Sequence, residues 1–126
     1  MKPIARLALV PLMCACGVAA EAACVYPQAP QSFPNGAQAT KDEMIAAQAP
    51  IKEYSKTVQE VYLPCLEAEK KESVAALDPA DPELEQKKVA IEAVHAKKHN
   101  AALDELTAVA NRWSDEMKAF QARDKK

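Results

Sequence analysis

A pair of widely spaced cysteines, Cys24 and Cys65, placed behind a short secretion leader, limits the fold of this chain more than any other feature. Exported chains reach oxidising surroundings, where an even number of cysteines reads as a disulfide framework. A bond between these two would close a loop of about 40 residues, worth ~4 kcal/mol in the chain-entropy account of cross-links. That is a large share of a small domain's usual margin. The pair lacks the C-x-x-C spacing of redox-active dithiols, so a structural disulfide is the expectation.

Residues 1–22 read as the leader. Lys2 and Arg6 form its positive start, an apolar run interrupted by Pro11 follows, and small residues come next. Cleavage after Ala20 or Ala22 fits the small side chains at Val18-Ala19-Ala20 and Ala20-Glu21-Ala22. The apolar run is shorter than the roughly 20 residues that a spanning helix needs. A second reading is open, because Ala15-Cys16-Gly17 has the look of a bacterial lipoprotein signal, although Met13 stands where leucine is usual. The expected location is therefore periplasmic or secreted, with the alternative of a lipid anchor at Cys16. Membrane attachment is expected only in that alternative.

The mature chain has the length of one domain. Cleavage after Ala22 removes Lys2, Arg6 and Glu21, so 14 of 16 basic and 17 of 18 acidic residues remain, a net charge near −3. A weakly acidic chain with interspersed signs offers no footprint for nucleic acid and no basic face for anionic lipid. Two glycines in the whole chain argue against a turn-rich β fold, while abundant Ala, Glu, Lys and Leu favour long helices. The expected class is all-α.

Along the chain, residues 23–40 form an extended, proline-rich arm. Pro27, Pro30 and Pro34 forbid helix, and Pro34-Asn35-Gly36 turns the chain. Thr40-Lys41-Asp42-Glu43 fits a capping box. From 41 to about 77 the pattern is helical. Met44, Ile51, Val58 and Cys65 recur every seven residues, with Ala47, Tyr54, Val61 and Ala68 between them, a coiled-coil-like stripe. Pro50 and Pro64 should disturb that helix. Asp78-Pro79-Ala80-Asp81-Pro82 makes the connection, with Asp81 as a cap. A second helix then runs from 82 to about 122, and its latter half carries Leu103, Leu106, Ala110, Trp113, Met117 and Phe120 on one stripe. A short connection makes neighbouring helices antiparallel. The expected architecture is thus a two-helix hairpin over 41–126. Cys65 would sit about 36 Å along the first helix, within the roughly 50 Å that the arm from Cys24 can span.

One constellation has metal-ligand character. Glu92, His95 and His99 stack on one side of a helix in the order E-x-x-H-x-x-x-H, and imidazoles four apart can bind zinc, copper or nickel. Glu-x-x-His also serves in di-iron bundles, but those need a second such motif on facing helices, which this sequence lacks. The plainer reading is two polar helix residues beside Lys97 and Lys98. Trp113, Met117 and Phe120 are either core or an exposed docking patch. No Ser/His/Asp arrangement or phosphate-binding glycine loop occurs, so an enzyme is not expected and no cofactor is implied.

Cys24 with its proline-rich spacing, Phe33-Pro34-Asn35-Gly36, Ala39-Thr40, Glu43-Met44, Lys52, Tyr54 and Tyr62-Leu63-Pro64-Cys65-Leu66 together resemble a group of small secreted proteobacterial proteins of unknown function. The resemblance covers about a third of the chain. It implies a periplasmic, disulfide-tied helical fold and carries over no activity. Small periplasmic hairpin chaperones carry an L-T-x-x-Q motif; here Leu106-Thr107 is followed by Ala108, Val109 and Ala110, so that family is not assigned. The functional expectation is a non-enzymatic periplasmic protein acting through protein–protein contacts, with itself or with an envelope partner. The alternative is a metal-binding or metal-stress protein using His95 and His99.

Overall fold

The computed structural model describes residues 23–123. Residues 1–22, where the leader with Cys14 and Cys16 is expected, and the charged tail 124–126 lie outside the described residues. Among those described the fold is all-α with no strand: α1 (Lys41–Thr57), a π-helical turn (Val58–Tyr62), α2 (Leu63–Ala75) and α3 (Leu84–Arg123). Residues 23–40 have no regular structure apart from one turn.

The capping box forms as its sequence requires. Thr40 Oγ1 accepts from the Glu43 N–H at 3.2 Å, and Glu43 Oε2 accepts from the Thr40 N–H at 2.7 Å. The Thr40 N–H, and then the Thr40 hydroxyl donating to the same Oε2 at 3.0 Å, hold the Glu43 carboxyl below the usual carboxylate range. The helix passes Pro50 without interruption but widens just before Pro64, where the Leu63 N–H bonds back five residues to Val58 O. Pro64 brings no amide donor, and its ring crowds the Glu60 carbonyl. The wider turn relieves that crowding by inserting one residue into the helical repeat.

The insertion overturns the expected seven-residue stripe. Met44, Ile51, Tyr54 and Val58 are buried as their spacing predicts. Beyond Val58 the buried positions are Tyr62 and Leu66, one residue later than Val61 and Cys65. Val61 is 61% exposed, and Ala68 is on the surface. In a regular helix, spacings of four drift by about 40° per step. The π turn cancels that drift and keeps Tyr54, Val58, Tyr62 and Leu66 in one file. It also rotates Cys65 out of the file, toward the N-terminal segment.

Between α2 and α3, Ala80 donates its N–H to Asp78 Oδ1 and Glu83 donates to Asp81 Oδ1, while Lys87 pairs with the Asp81 carboxylate. This turn occupies residues 82–83, so α3 begins at Leu84 rather than at Pro82. The core is a single file from the first helical run meeting Ala102 and Val109 of α3, with Ala29, Phe33, Leu63, Leu106 and Trp113 packed at its edges. Contacts link the two runs at three places. Ala39 O accepts from Arg123 Nη1 at 2.8 Å, Ile51 faces Val109, and Glu69 meets Lys98 at 3.1 Å.

Candidate functional site

α3 is best understood as rows of residues seven apart, each turned about 40° from the next. The inner row, His95, Ala102, Val109 and Glu116, is buried or half-buried against the first helical run. Beside it His99, Leu106, Trp113 and Phe120 form a seam, exposed at His99 and half-buried beyond. Further round lies an outer row, Ala96, Leu103, Ala110 and Met117. It is exposed except at half-buried Met117, and Leu103 shows 38% of its surface. Next comes a polar row, Asn100, Thr107, Ser114 and Gln121, all exposed. Neither of the last two rows contains a charged residue, in a chain that is 27% charged.

The seam and outer row border a shallow apolar trough of about 270 Å³, closed on its other side by Ile51, Lys52 and Ser55 of α1. Trp113 lies in its wall and also packs against the core cluster, as the core reading of this residue expects.

The opposite flank of α3 is met by side chains from elsewhere in the chain, although Lys98, Glu105 and Arg112 on it keep much of their surface exposed. The Cys24–Cys65 disulfide is formed, with the Cα atoms 5.8 Å apart. Tyr26 donates its hydroxyl to Glu105 Oε2 at 2.7 Å and accepts from the buried Tyr54 hydroxyl at 3.0 Å. Its ring meets Tyr62 edge-on at 4.9 Å. Partial burial, followed by Glu105 and Tyr54, pushes the Tyr26 phenol up from its ordinary value. Arg112 lies over the Phe33 ring at 4.5 Å, a cation–π contact.

At the turn, Asn35 works through its side chain and carbonyl: Oδ1 accepts from Ala37 N–H, and O accepts from Gln38 and Ala39 N–H. Gly36 is needed for closeness, not for an unusual φ. Its N–H reaches Glu116 Oε2 at 2.8 Å, and a Cβ there would lie 1.9 Å from the Glu116 backbone oxygen.

The residues with metal-ligand character are divided between these environments. Glu92, His95 and His99 border one groove between α2 and α3. His95, however, is only 8% exposed and belongs to the inner row, whereas Glu92 and His99 stand on the exposed side. His95 Nδ1 is 2.9 Å from Ile91 O, so this nitrogen carries the hydrogen and donates it to the carbonyl. Its Nε2 faces Glu69 Oε1 at 3.4 Å. Nδ1 is thus engaged, whereas the buried Nε2 makes no hydrogen bond among the described residues. Among the described residues no three His, Cys, Asp or Glu side chains converge as a metal ion requires.

Glu69 was not singled out by the sequence. It reaches this place because the π turn advances the buried file by one residue, from Ala68. Lys98 first, then the Cys24 amide and His95, hold its carboxyl below the usual range against the opposing effect of burial. This cluster fastens α2, α3 and the start of the N-terminal segment together.

No protein-family model matches the chain, and no curated protein or solved structure matches it either. Among the described residues no helix is long and apolar enough to cross a membrane.

Proposed function

We propose that this chain is a non-enzymatic protein of the periplasm that works by contact with other protein surfaces, using the open flank of α3. The observation that carries the reading is the pair of exposed, charge-free rows from Ala96 to Gln121. Protein interfaces are depleted of charge at their centre and rich in aromatic residues and methionine. Trp113, Met117 and Leu103 supply that chemistry here. In this reading the two helical runs form an antiparallel hairpin, and residues 23–40 are a proline-rich arm strapped along one side. The successive pairs Ala39–Arg123 and Glu69–Lys98 support it, because the partner's number falls as the first run advances. The disulfide agrees with an oxidising compartment, and Lys2, Arg6 and the apolar stretch after them agree with export.

The test is a photo-reactive amino acid at position 110 of the full chain, expressed in its own cells. A specific cross-link at 110, to itself or to one envelope protein, is expected, with none from the same group at the polar outer face of α2. Absence of any cross-link at 110, in a chain that is also monomeric in solution, would overturn the reading. Intact mass of the processed protein reports in parallel whether export ends in cleavage at Ala20 or Ala22 or in acylation of Cys16.

A further inference from the structure

The partner of the open flank can be named more closely, on the basis of the contact reading above. We propose that the outer and polar rows of α3 dock on the same rows of a second copy, with the two α3 helices antiparallel about a twofold axis near Ala110.

Three observations lead there. First, the surface is compatible with itself. A patch of one sign of charge cannot face its own copy without opposing like charges, but these two rows are uncharged along their whole length. Second, the heptad use of α3 is incomplete. A helix inside a four-helix bundle buries two rows and part of a third. Here the inner row is buried and the seam only half so, while the outer row that should complete the set is open. Two copies of a two-helix unit supply the missing neighbours. Ala110, at the midpoint, has only a methyl group between the two backbones.

Third, the rim selects the orientation. Beyond the polar row stand Asp104 and Lys118, both exposed. Asp104 makes no ion pair among the described residues, and Lys118 reaches only its neighbour Asp115 at 3.3 Å, with both side chains open to water. When two identical helices lie antiparallel about a twofold axis perpendicular to them, each presents the same rim to the other, reversed end for end. An axis level with residues 110 and 111 brings Asp104 of one copy opposite Lys118 of the other, twice. Leu103 then lies level with Met117 of the other copy, and Ala110 meets Ala110. The same crossing matches charge at the rim and size along the row.

Light scattering and sedimentation of the mature, oxidised protein test this. A dimer is expected that Ala110→Arg converts to monomer, with helical content and thermal midpoint of the monomer unchanged because residue 110 is on the surface. Asp104→Lys should weaken self-association several-fold, and adding Lys118→Asp in the same chain should restore it. A purely structural role for either residue gives no such rescue. With Ala110→Cys, oxidised glutathione should yield a dimer linked through residue 110, each new disulfide accounting for two glutathione thiols released.

A monomer at all concentrations, or a dimer that Ala110→Arg leaves intact, overturns the proposal. The two readings separate cleanly. A monomer whose residue 110 cross-links to a different envelope protein removes the second copy and keeps the contact role, whereas a monomer with no cross-link removes both.

Discussion

The two flanks of α3 differ in how their charges are treated. On the covered flank, Lys98, Glu105 and Arg112 stand seven apart, and each has a partner from elsewhere in the chain: Glu69, Tyr26 and Phe33. On the open flank the outer and polar rows carry no charge at all, and the Thr107 hydroxyl bonds only to the Leu103 carbonyl of its own helix. A charged row needs directed polar partners, which a tethered segment can place one by one. An uncharged row gains only from being covered, and any complementary apolar surface will serve. One side of the helix is held by its own chain; the other, in the reading proposed above, is met from outside.

This contrast can be attacked first at its covalent end. Cys24→Ser should lower unfolding free energy by about 4 kcal/mol, read as the shift in urea midpoint against oxidised protein. Helical circular dichroism should survive where the core file persists. If the shift were negligible, the covered flank would owe little to the tether. Next comes the close approach at the turn. In Gly36→Ala the new methyl meets the Glu116 backbone, which cannot step aside as a flexible side chain would. A loss of roughly 1–3 kcal/mol follows, together with faster proteolysis between residues 35 and 40.

Tyr26→Phe removes the hydroxyl shared by Tyr54 and Glu105, and should cost about 1 kcal/mol. A double-mutant cycle with Tyr54→Phe should show the two losses to be less than additive, because they share one bond.

Acid offers a gentler probe. Glu69 has its carboxyl lowered in the folded state, chiefly by Lys98. The stabilisation it supplies is therefore complete above the ordinary carboxylate value of about 4.3. It fades as pH falls below that value through the lowered one. Glu69→Gln should flatten the fall in stability between about pH 5 and pH 2, measured as the urea midpoint against pH.

The smallest effect belongs to the open flank. Thr107→Lys should change monomer stability by no more than about 0.5 kcal/mol, because the exposed side chain bonds only to the Leu103 carbonyl one turn back, yet it should abolish self-association. A large loss of monomer stability would show that this flank too is held from within.

Much of the fold was legible because it depends on neighbours in sequence. Thr40 and Glu43 announce the helix start, Asn35 and Gly36 the turn, and Cys24 and Cys65 the tether. The stripe of Leu103, Leu106, Ala110, Trp113, Met117 and Phe120 was visible as spacing but is not the buried face: Leu103 and Ala110 are exposed, and the residues just before them, Ala102 and Val109, are buried. The buried file beyond Val58 was not legible. A seven-residue repeat assumes a regular helix, and the pattern through Val61, Cys65 and Ala68 looks sound until Pro64 is seen to force a π turn. Glu69 was missed for the same reason. The grouping of Glu92, His95 and His99 was correct as one-helix geometry and incomplete as a site, because spacing along a helix does not reveal what stands opposite it.

The sequence alone determined the class of fold, the ends of its first helix and the two residues able to cross-link it, since each follows from local propensity or covalent chemistry. Only the tertiary structure decided which way the rows of α3 turn. Burial is a property of pairs of surfaces, and a one-residue insertion before Pro64 rotated everything after it relative to α3. That rotation took Cys65 to the segment bearing Cys24, set Glu69 against His95, and placed Tyr62 and Leu66 in the core.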